Sequence, residues 1–496
     1  MLCSVFMGRM LVHPNPQAPQ RRACAALGRH AVAILGLVTL AGCSPAPISR
    51  PNLVLIVIDT LRADHLGTYG YPRATSPNID RLAERGLVFA NALAASSWTK
   101  PSIGSLFTSR YPSEHGAVSF ERNLSSALPT LAEMLREAGY RTVGVSGNFV
   151  HVTERTGFAR GFDAFETLVS AVEGPGGEML LAIPGEDGEL DYLRAPTASE
   201  VNRRVLELLP QPDSTPIFLY VHYMEPHPGY APPEPQRSTF MTDAAAHARG
   251  PPATATYLAQ LAGSVAELEP LERQRLIDLY DAEIATVDEA IGELIRAFAD
   301  RGYLENTVIT LTSDHGEEFG EHAGWFHGLT LYGECLRVPI VFHDTRRPGS
   351  GARRRDPVDL LDVPTTLLAL AGVRPSPSMR GRDLLTAEPP LRDLVAELHR
   401  DPAFEDHVRP RVQRLVLTRW PWKAIVGFDG TRSFYRLDQD PDELRPLPEA
   451  GEEVPRGLLA ALAHLDQGAS RTAPASETRP VDPKTRAGLR ALGYAE

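Results

Sequence analysis

Acidic and imidazole side chains follow three apolar stretches of the chain, at the point where each stretch ends. The stretches are residues 52–58, 217–221 and 307–313. The polar side chains after them are Asp59, His222, Glu225, His227, Asp314 and His315. Continuous β-branched runs of this kind are typical of parallel strands buried on both faces. Because ligands bind outside the carboxyl ends of parallel strands, we expect these groups to form one site.

A candidate nucleophile, Thr99, lies where a helix is predicted to begin. Small residues before it suit a loop, Pro101 suits a first helical turn, and apolar residues recur at helical spacing up to Phe107. The free N–H groups and the positive dipole end of a helix start favour a phosphate or sulfate group. Capping the helix is the commoner role of such a threonine, but the three strand ends favour a role in the site.

A sheet is needed to bring these groups together. Strands and helices alternate along the chain, which predicts an α/β fold with a doubly wound, mostly parallel sheet and helices on both faces. Further predicted elements are the strand 141–145 and the helices 128–137, 270–301 and 360–371. Short β-like runs predict a small C-terminal α+β subdomain with an antiparallel sheet, and they are residues 414–418, 422–426 and 433–437.

Several sequence blocks occur in an order that resembles the sulfatase family of the alkaline phosphatase superfamily. The blocks are 52–59, 62–70, 76–80, 85–91, 312–322, 327–328, 337–339, 362–366 and 435–443. The resemblance implies an ester hydrolase with an alkaline-phosphatase-like fold. Sulfatases carry Cys, or less often Ser, in the motif Cys-x-Pro-Ser-Arg, and this residue is oxidised to formylglycine. This chain departs from the motif, because it has Thr99 in that place and Ile103 instead of the arginine.

The resemblance also implies a metal site built from the strand ends. Asp59, Asp314, His315 and the Thr99 oxygen form a suitable ligand set for one divalent cation, which would lower the pKa of the hydroxyl and neutralise an anionic ester. Calcium-dependent sulfatases generally have Asn at the position of His315. An imidazole ligand favours manganese or zinc, with calcium as the alternative.

Three histidines are candidate catalytic groups. An imidazole can donate or accept a proton near neutral pH, so His227 and His327 are the best candidates for protonating a leaving group or holding an oxyanion. His222 is a weaker candidate for the same work. Glu225 is a candidate for a supporting role or for holding a second metal ion.

Two residues are candidates for binding substrate. Sulfatases have a Lys-x-His pair after the strand that corresponds to residues 141–145, where this chain reads Asn148-Phe-Val-His151. Asn148 is either a donor to the bound anion or an ordinary loop residue. Lys100, next to Thr99, is the other candidate.

The first 42 residues are predicted to be a lipoprotein signal peptide. Arginines precede an apolar run from Ala31 to Ala41, which is too short to span a bilayer. The run ends in Leu40-Ala-Gly-Cys43, which resembles a bacterial lipobox. We expect a lipid anchor at Cys43 and a periplasmic or extracytoplasmic place in the bacterial cell envelope, and an uncleaved anchor is the alternative. Only Cys335 would remain beside it, so no disulfide framework is predicted.

The remaining predictions concern composition and organisation. The chain has 50 Lys and Arg and 62 Asp and Glu, and its formal net charge of −12 argues against nucleic acid as a partner. The predicted parts are a catalytic domain over 50–385, an antiparallel subdomain over 386–450 and a polar tail with a short terminal helix over 451–496.

We expect residues 489–494 to dock on the body. Residues 171–191 and 228–252 are predicted to be long loops, and Asp281, Glu283 and Asp288 a solvated helix face.

Together these observations predict a metal-dependent hydrolase or transferase that cleaves a phosphate or sulfate ester through Thr99. The resemblance favours a phosphoester, because phosphodiesterase and phosphoglycerol-transferase branches of the superfamily use Thr. The expected substrates are small-molecule, glycan-linked or lipid-linked anionic esters. The alternative within enzymes is a sulfate-ester hydrolase that works without formylglycine. The alternative from another class is a catalytically inactive binding protein at the envelope.

Overall fold

A computed structural model gives the fold of most of the chain. The residues it describes are 50–172, 180–184, 190–241, 253–262, 268–347, 349, 351–386, 392–401, 411, 413–448 and 454–468. The predicted signal peptide with Cys43 and the end of the chain from residue 469 onward, with its predicted terminal helix and docking segment, lie outside them. Among the described helices, none is both long enough and apolar enough to cross a membrane.

The strands form four sheets. In chain order they are β1 (Asn52–Ile58), β2 (Leu87–Leu93), β3 (Arg141–Ser146), β4 (Ala164–Thr167), β5 (Ser170–Val172), β6 (Leu180–Pro184), β7 (Leu190–Arg194), β8 (Ile217–Tyr223), β9 (Thr307–Ser313), β10 (Glu318–Phe319), β11 (Trp325–Phe326), β12 (Ile340–Asp344), β13 (Ala352–Asp359), β14 (Leu394–Glu397), β15 (Gln413–Arg419), β16 (Trp422–Gly427) and β17 (Arg432–Arg436). The central sheet has eight strands in the order β13-β2-β12-β9-β1-β8-β3-β4. The smaller sheets are β14-β15-β16-β17, β5-β7-β6 and β10-β11.

The central sheet is mostly parallel. β1 pairs in parallel with β8 and β9, β3 pairs in parallel with β8 and β4, and β13 pairs in parallel with β2. Only β12 runs against its two neighbours, β9 and β2. The doubly wound, mostly parallel sheet that the sequence predicts is confirmed.

The unbroken apolar run of β1 is explained by its place in the middle of this sheet. Its side chains alternate between two apolar cores, as strand geometry requires. Leu53, Leu55 and Val57 belong to one core, and Val54, Ile56 and Ile58 belong to the other. Because both faces of β1 pack in apolar cores, its inner positions are apolar, and the charged side chain of Asp59 comes directly after its end.

Helices cover both faces of the sheet. The α-helices are Pro77–Glu84, Thr99–Thr108, Pro112–His115, Leu131–Glu137, Ala198–Leu208, Gln236–Phe240, Ala255–Ala262, Pro270–Asp300, Gly333–Leu336, Asp362–Leu370 and Arg456–Gly468. The long helix Pro270–Asp300 packs through Leu276 and Ile284 into the core of Val54. The helix Thr99–Thr108 packs through Phe107 into the core of Leu53, on the opposite face.

The C-terminal part contains the predicted antiparallel sheet, β14-β15-β16-β17. Val416 and Ile425 on one of its faces pack into a core of the main body. Leu417 and Val426 on the other face pack against Leu458 of the helix Arg456–Gly468. This helix lies in the segment whose sequence predicts a polar tail, and its apolar contacts show that the tail prediction is wrong there.

The prediction of a long loop over residues 171–191 is also wrong. β5, β6 and β7 form a three-stranded antiparallel sheet within residues 170–194. The Gly- and Pro-rich segments between the strands dominate the composition of this stretch and hide the short strands from sequence reasoning. The second insertion contains only the short helix Gln236–Phe240 among its described residues.

Three acidic side chains of the long helix are buried, so the prediction of a solvated face is wrong; they are Asp281, Glu283 and Asp288. Asp281 accepts a hydrogen bond of 2.7 Å from the Tyr71 hydroxyl. Asp288 accepts hydrogen bonds from the backbone N–H groups of Asn78, at 3.0 Å, and Ile79, at 2.8 Å. The donor to Asp281 comes from the loop that follows β1, and the donors to Asp288 come from the start of the helix Pro77–Glu84. Glu283 accepts a hydrogen bond of 2.8 Å from the backbone N–H of Ala231. The three acids therefore make structural contacts within the fold.

We predict that Asp288→Ala lowers the free energy of unfolding by about 2 kcal/mol or more, because two buried N–H groups at the start of the helix Pro77–Glu84 lose a charged acceptor. Chemical denaturation of the purified protein measures this change. The control is Glu293→Ala, an exposed acid on the same helix, for which we expect a change within about 0.5 kcal/mol. Equal stability of the two variants would contradict the assigned role of Asp288.

Candidate active site

The register of the three central strands brings their carboxyl ends level. Ile58 of β1 pairs with Tyr223 of β8 on one side and with Ser313 of β9 on the other. The residues that follow β1 and β9, Asp59 and Asp314, therefore meet at one edge of the sheet. Both side chains are fully buried.

Three side chains suited to metal binding lie together at this edge. One ligand atom each of Asp59, Asp314 and His315 lies within 4.8 Å of the other two. His315 Nε2 is 3.7 Å from Asp59 Oδ1 and 3.3 Å from Asp314 Oδ2. His315 Nδ1 donates to the carbonyl oxygen of Gly316 at 2.9 Å. In a neutral ring this leaves the lone pair on Nε2, which faces the two carboxylates.

This cluster fits a divalent cation. Asp59 Oδ1 and Asp314 Oδ2 are buried, and neither has a hydrogen-bond partner among the described residues. Burying a carboxylate charge without hydrogen-bond donors or a cation beside it costs folding free energy. Burial, together with the negative charge of Asp59, raises the pKa of Asp314 above its usual value. A cation held by Asp59, Asp314 and His315 would compensate both charges.

Thr99 lies in the first turn of the helix Thr99–Thr108, as the sequence predicts. Trp98 is the cap residue, and no side chain makes a capping hydrogen bond. The Thr99 hydroxyl is therefore not used as a helix cap. Its Oγ1 atom lies 3.3 Å from His315 Nε2, so the structure brings Thr99 to the metal-ligand cluster.

Two polar contacts hold the start of this helix in place. Ser102 Oγ donates to the carbonyl oxygen of Asp314 at 2.5 Å, and His115 Nε2 donates to the carbonyl oxygen of Pro101 at 3.0 Å. The His115 ring packs directly on Gly104, where a Cβ atom would lie 2.5 Å from a ring carbon. Burial lowers the pKa of His115 to about 3, so the ring is neutral and serves as a structural donor.

Asn148 and His222 support Asp59. Asn148 Nδ2 donates to Asp59 Oδ2 at 2.9 Å, and its Oδ1 accepts from the backbone N–H of His151 at 2.9 Å. His222 Nε2 is 3.3 Å from Asp59 Oδ2, and its Nδ1 lies 3.0 Å from the Tyr220 hydroxyl. Burial would raise the pKa of Asp59, but the neighbouring imidazoles, above all His222, hold it below its usual value. The contacts of Asn148 and His222 thus orient a carboxylate of the cluster.

His227 and His327 form a wall beside His315. The ring centre of His327 is 4.5 Å from that of His315 and 5.0 Å from that of His227. His327 Nδ1 lies 3.1 Å from Glu317 Oε2, which fixes the ring orientation. Burial lowers the pKa of His227 to about 4 and that of His327 well below its usual value. Both rings are therefore neutral near pH 7 and can each donate and accept one hydrogen bond.

The contacts of Lys100 do not support its predicted role in substrate binding. Its ammonium group donates at 2.9 to 3.2 Å to three oxygens, which are Ser119 O, Phe120 O and Asn123 Oδ1. These acceptors match its three protons, and the side chain is 1% exposed. Burial lowers its pKa to about 7. Lys100 therefore ties the helix start to the loop 119–123.

Glu225 holds a neighbouring element. Its Oε1 atom accepts a hydrogen bond of 2.7 Å from the backbone N–H of Ala198, at the start of the helix Ala198–Leu208. Burial raises the pKa of Glu225 to about 7. This contact fits the predicted supporting role, because it anchors the loop that carries His227.

Comparison with known proteins identifies the family. A family model described as sulfatase matches residues 51–373. The chain belongs to the sulfatase family. It is thus an ester hydrolase of the alkaline phosphatase superfamily, and sulfatases depend on a metal ion, which agrees with the cluster at Asp59.

Relatives of this sulfatase-family protein act on different esters. An arylsulfatase of Clostridium perfringens is 23% identical over 456 residues, which cover 81% of this chain and 91% of the relative. A multifunctional alkaline phosphatase superfamily protein of Trinickia caryophylli is 26% identical over 424 residues, covering 72% and 81%. The crystal structure of a phosphonate monoester hydrolase of Agrobacterium radiobacter has a TM-score of 0.67 and 21% identity, and covers 87% of this chain and 100% of that one. The first two support the family and the third the fold.

Three further side chains of this sulfatase-family protein reach the site. His151 lies among the aromatic rings next to Thr99, with its ring centre 5.4 Å from that of Trp98. Glu317 contacts His327, as described above. Arg411 enters from the C-terminal part. Glu317 could have been found from the sequence, since it stands two residues after His315. Nothing in the sequence around Arg411 indicates that its side chain lies near Trp98.

We predict that Asp314→Ala and His315→Ala each lose bound metal, and that a strong chelator abolishes activity in the unmodified protein. Each substitution should lower turnover more than about a thousandfold, because the same ion is expected to serve nucleophile and substrate. Metal analysis of the purified variants and assays after chelation measure both effects. The control is Asp213→Ala, which removes an exposed partner of Arg141 far from the cluster. Full activity in metal-free protein would contradict the metal site.

Proposed function

We propose that this protein cleaves a phosphoester with Thr99 as its nucleophile, either as a hydrolase or as a transferase. The observation that carries the proposal is the position of Thr99 Oγ1, which lies 3.3 Å from His315 Nε2. His315 lies beside Asp59 and Asp314, and each of these carboxylates has a buried oxygen without a hydrogen-bond partner among the described residues. A free threonine hydroxyl is a weak nucleophile. A divalent cation held by Asp59, Asp314 and His315 would lower the pKa of that hydroxyl and neutralise the anionic ester oxygens.

The proposed reaction has two steps. In the first, Thr99 Oγ1 gives up its proton and forms a bond to phosphorus, while the bond from phosphorus to the leaving oxygen breaks and that oxygen takes up a proton. In the second, the oxygen of water or an alcohol gives up a proton and forms a bond to phosphorus, the bond to Thr99 Oγ1 breaks, and Thr99 Oγ1 takes up a proton. The free N–H groups at the start of the helix Thr99–Thr108 favour the anionic oxygens in both steps.

We propose that His227 and His327 move the protons of the leaving and entering oxygens. Both are neutral near pH 7, and one imidazole nitrogen can donate while the other accepts. The contact between His327 Nδ1 and Glu317 holds the other nitrogen of that ring in a fixed direction. We propose that His222 and Asn148 act through Asp59, as positioning residues.

The nucleophile decides between phosphate and sulfate. A formylglycine hydrate can release sulfate by collapsing to the aldehyde, whereas a threonine ester cannot, so an external acceptor must attack the transferred group. Phosphoryl transfer is well served by fixed positive charge and positioning. We therefore favour a phosphoester, although relatives such as the arylsulfatase make a sulfate ester the second candidate. For the cation we propose manganese or zinc, because His315 supplies an imidazole ligand.

We predict that Thr99→Ala is folded and inactive, while Thr99→Ser keeps measurable turnover because it retains a hydroxyl at the same place. Acid quenching during turnover of a slow phosphoester should leave one phosphoryl mass on the peptide that contains Thr99. Mass spectrometry of the digested protein detects this adduct. The panel of substrates is nitrophenyl phosphate, a phosphodiester, a phosphonate monoester and nitrophenyl sulfate.

The outcomes separate the candidate functions. Unchanged activity of Thr99→Ala would remove Thr99 as the nucleophile. Faster turnover of the sulfate ester than of the phosphoesters would favour a sulfate-ester hydrolase. Binding of the esters without turnover of any of them would favour an inactive binding protein.

We also propose that the protein is lipid-anchored at Cys43 in the bacterial cell envelope, on the strength of the sequence Leu40-Ala-Gly-Cys43. We predict that Cys43→Ser abolishes acyl labelling and leaves an uncleaved precursor. Metabolic labelling with a fatty acid and immunoblotting of membrane fractions measure both effects. Acyl labelling that persists in Cys43→Ser would contradict the anchor.

A further inference from the structure

Five arginines lie at the amino edge of the central sheet, which is the edge opposite the candidate active site. Arg85 precedes β2, Arg346 and Arg347 follow the antiparallel β12, Arg353 is the second residue of β13, and Arg50 precedes β1. The strands β13, β2, β12, β9 and β1 are consecutive in the sheet. Since neighbouring strands lie about 4.8 Å apart, these five arginines form a row about 20 Å long, which we call the basic row.

The start of β13 lies beside the turn that carries Arg85. The backbone N–H of Ala352 donates to the carbonyl oxygen of Gly86 at 2.9 Å. Ala352 also pairs with Leu87, the first residue of β2, in the parallel register. Arg85 and Arg353 therefore lie at the ends of neighbouring strands.

The turn after β12 is joined to the start of β1 through β9. The backbone N–H of Thr345 donates to the carbonyl oxygen of Thr307 at 3.0 Å. Asn306 Nδ2 donates to the carbonyl oxygen of Arg50 at 3.0 Å. The two arginines that directly follow Thr345 therefore continue the basic row towards Arg50.

The basic row is positive, although the whole chain has a formal net charge of −12. Arg346 pairs with Asp344 at 2.8 Å. The other four arginines are exposed, and they form no ion pair with any residue that the structure describes. The acids at the ends of these five strands are Glu84, Asp344 and Glu305, so the arginines outnumber them. Acids farther away than about 8 to 10 Å are largely screened at physiological salt and do not cancel this charge.

We propose that the basic row binds the surface of a membrane that contains anionic phospholipid headgroups. Guanidinium groups suit phosphate oxygens, and clustered arginines are attracted to an anionic bilayer. Cys43, the proposed lipid site, precedes Arg50 by seven residues, which span at most about 25 Å. This reach argument rests on the proposed anchor, whereas the argument from charge does not.

Binding at this edge is compatible with catalysis. The seven residues of β1 span about 23 Å, and they separate the basic row from the strand ends that carry Asp59 and Asp314. A membrane bound at the basic row therefore does not cover the candidate active site.

The competing explanation is protection of the sheet edge. β13 is an outermost strand of the central sheet, and charged side chains on such a strand prevent pairing with other chains. This explains Arg353 but not Arg85 and Arg347, which lie in turns outside β13. Edge protection predicts that variants aggregate, and it predicts no preference among lipids.

The test measures how the full chain distributes between two kinds of vesicle mixed in equal amounts. One kind is phosphatidylcholine, and the other is equal parts of phosphatidylcholine and phosphatidylglycerol. An acyl chain at Cys43 would add equally to both, so the ratio of bound protein isolates the effect of charge. Separation of the vesicles by density, followed by immunoblotting, measures this ratio.

The variants remove exposed arginines of the basic row. We expect the unmodified chain to prefer the anionic vesicles, and Arg347→Gln to lower that preference about fivefold, as for one arginine near an anionic surface. The double variant Arg85→Gln/Arg347→Gln should lower it about 25-fold. Thermal denaturation identifies the folded fraction of each variant.

The matched control is Arg155→Gln. Arg155 is exposed, and its carbonyl oxygen accepts a hydrogen bond of 3.1 Å from Asn123 Nδ2, in the loop that Lys100 contacts. We expect this variant, which has the same charge as Arg347→Gln, to keep the preference of the unmodified chain. High salt should remove the preference of the unmodified chain, because it shortens the range of charge interactions.

Four results would overturn the proposal: equal distribution of the unmodified chain between the two kinds of vesicle, an unchanged preference in the double variant, an equal loss in Arg155→Gln, or a preference that high salt leaves intact. The salt result decides even if the double variant does not fold. Equal distribution together with acyl labelling at Cys43 would keep the anchor and reject the basic row. Vesicle binding needs no turnover, so a failure to cleave any ester would contradict the proposed function alone.

Discussion

The structure depends on holding two fully buried carboxylates, Asp59 and Asp314, with ligand oxygens within 4.8 Å of each other. Two like charges at such a separation repel each other by more than about 3 kcal/mol at the effective dielectric constant of about 20 that suits protein sites. The fold provides this arrangement through the level ends of β1 and β9 in the middle of the sheet. His315 and Asn148 add polar contacts, and a divalent cation would remove the remaining repulsion. The site is therefore unfavourable unless it binds the ion that its chemistry requires.

Thr99, the proposed nucleophile, is positioned by contacts of the residues that follow it, and one of these contacts reaches the end of β9. Ser102 joins the start of the helix Thr99–Thr108 to the backbone of Asp314, and Lys100 joins it to the loop 119–123. These contacts are made by residues that follow Thr99 in the same helix turn, and the Thr99 hydroxyl faces His315. Pro101 suits this arrangement, because its missing N–H group costs nothing in the first turn of a helix. The same helix turn thus supplies rigidity and an unused hydroxyl.

The parts of the site that follow buried strands could be predicted from the sequence. An apolar run such as 52–58 has one interpretation, a strand buried on both faces, and the polar residue that ends it must lie at the sheet edge. Side chains whose partners come from distant segments could not be predicted. Asp281 and Asp288 have the spacing of a solvated helix face, yet the loop after β1 supplies a donor to Asp281 and the start of the helix Pro77–Glu84 supplies donors to Asp288. Lys100 is next to the nucleophile in sequence, but a local loop provides three acceptors for its ammonium group.

The candidate metal ligands and the candidate substrate-contacting groups differ in the same way, because the first follow strands and the second lie in other segments. The groups that suit the metal follow β1 and β9, so the packing of the central sheet limits where they can lie. The histidines that we propose act on the substrate, His227 and His327, lie in loops outside the strands. Such segments can change without altering the sheet, since loops tolerate variation that a buried strand does not. A family resemblance therefore predicts the metal ligands more securely than the residues that contact the substrate. Thr99, the proposed nucleophile, lies beside the groups that suit the metal, with its Oγ1 3.3 Å from His315 Nε2, so its position depends on the sheet more than on the loops.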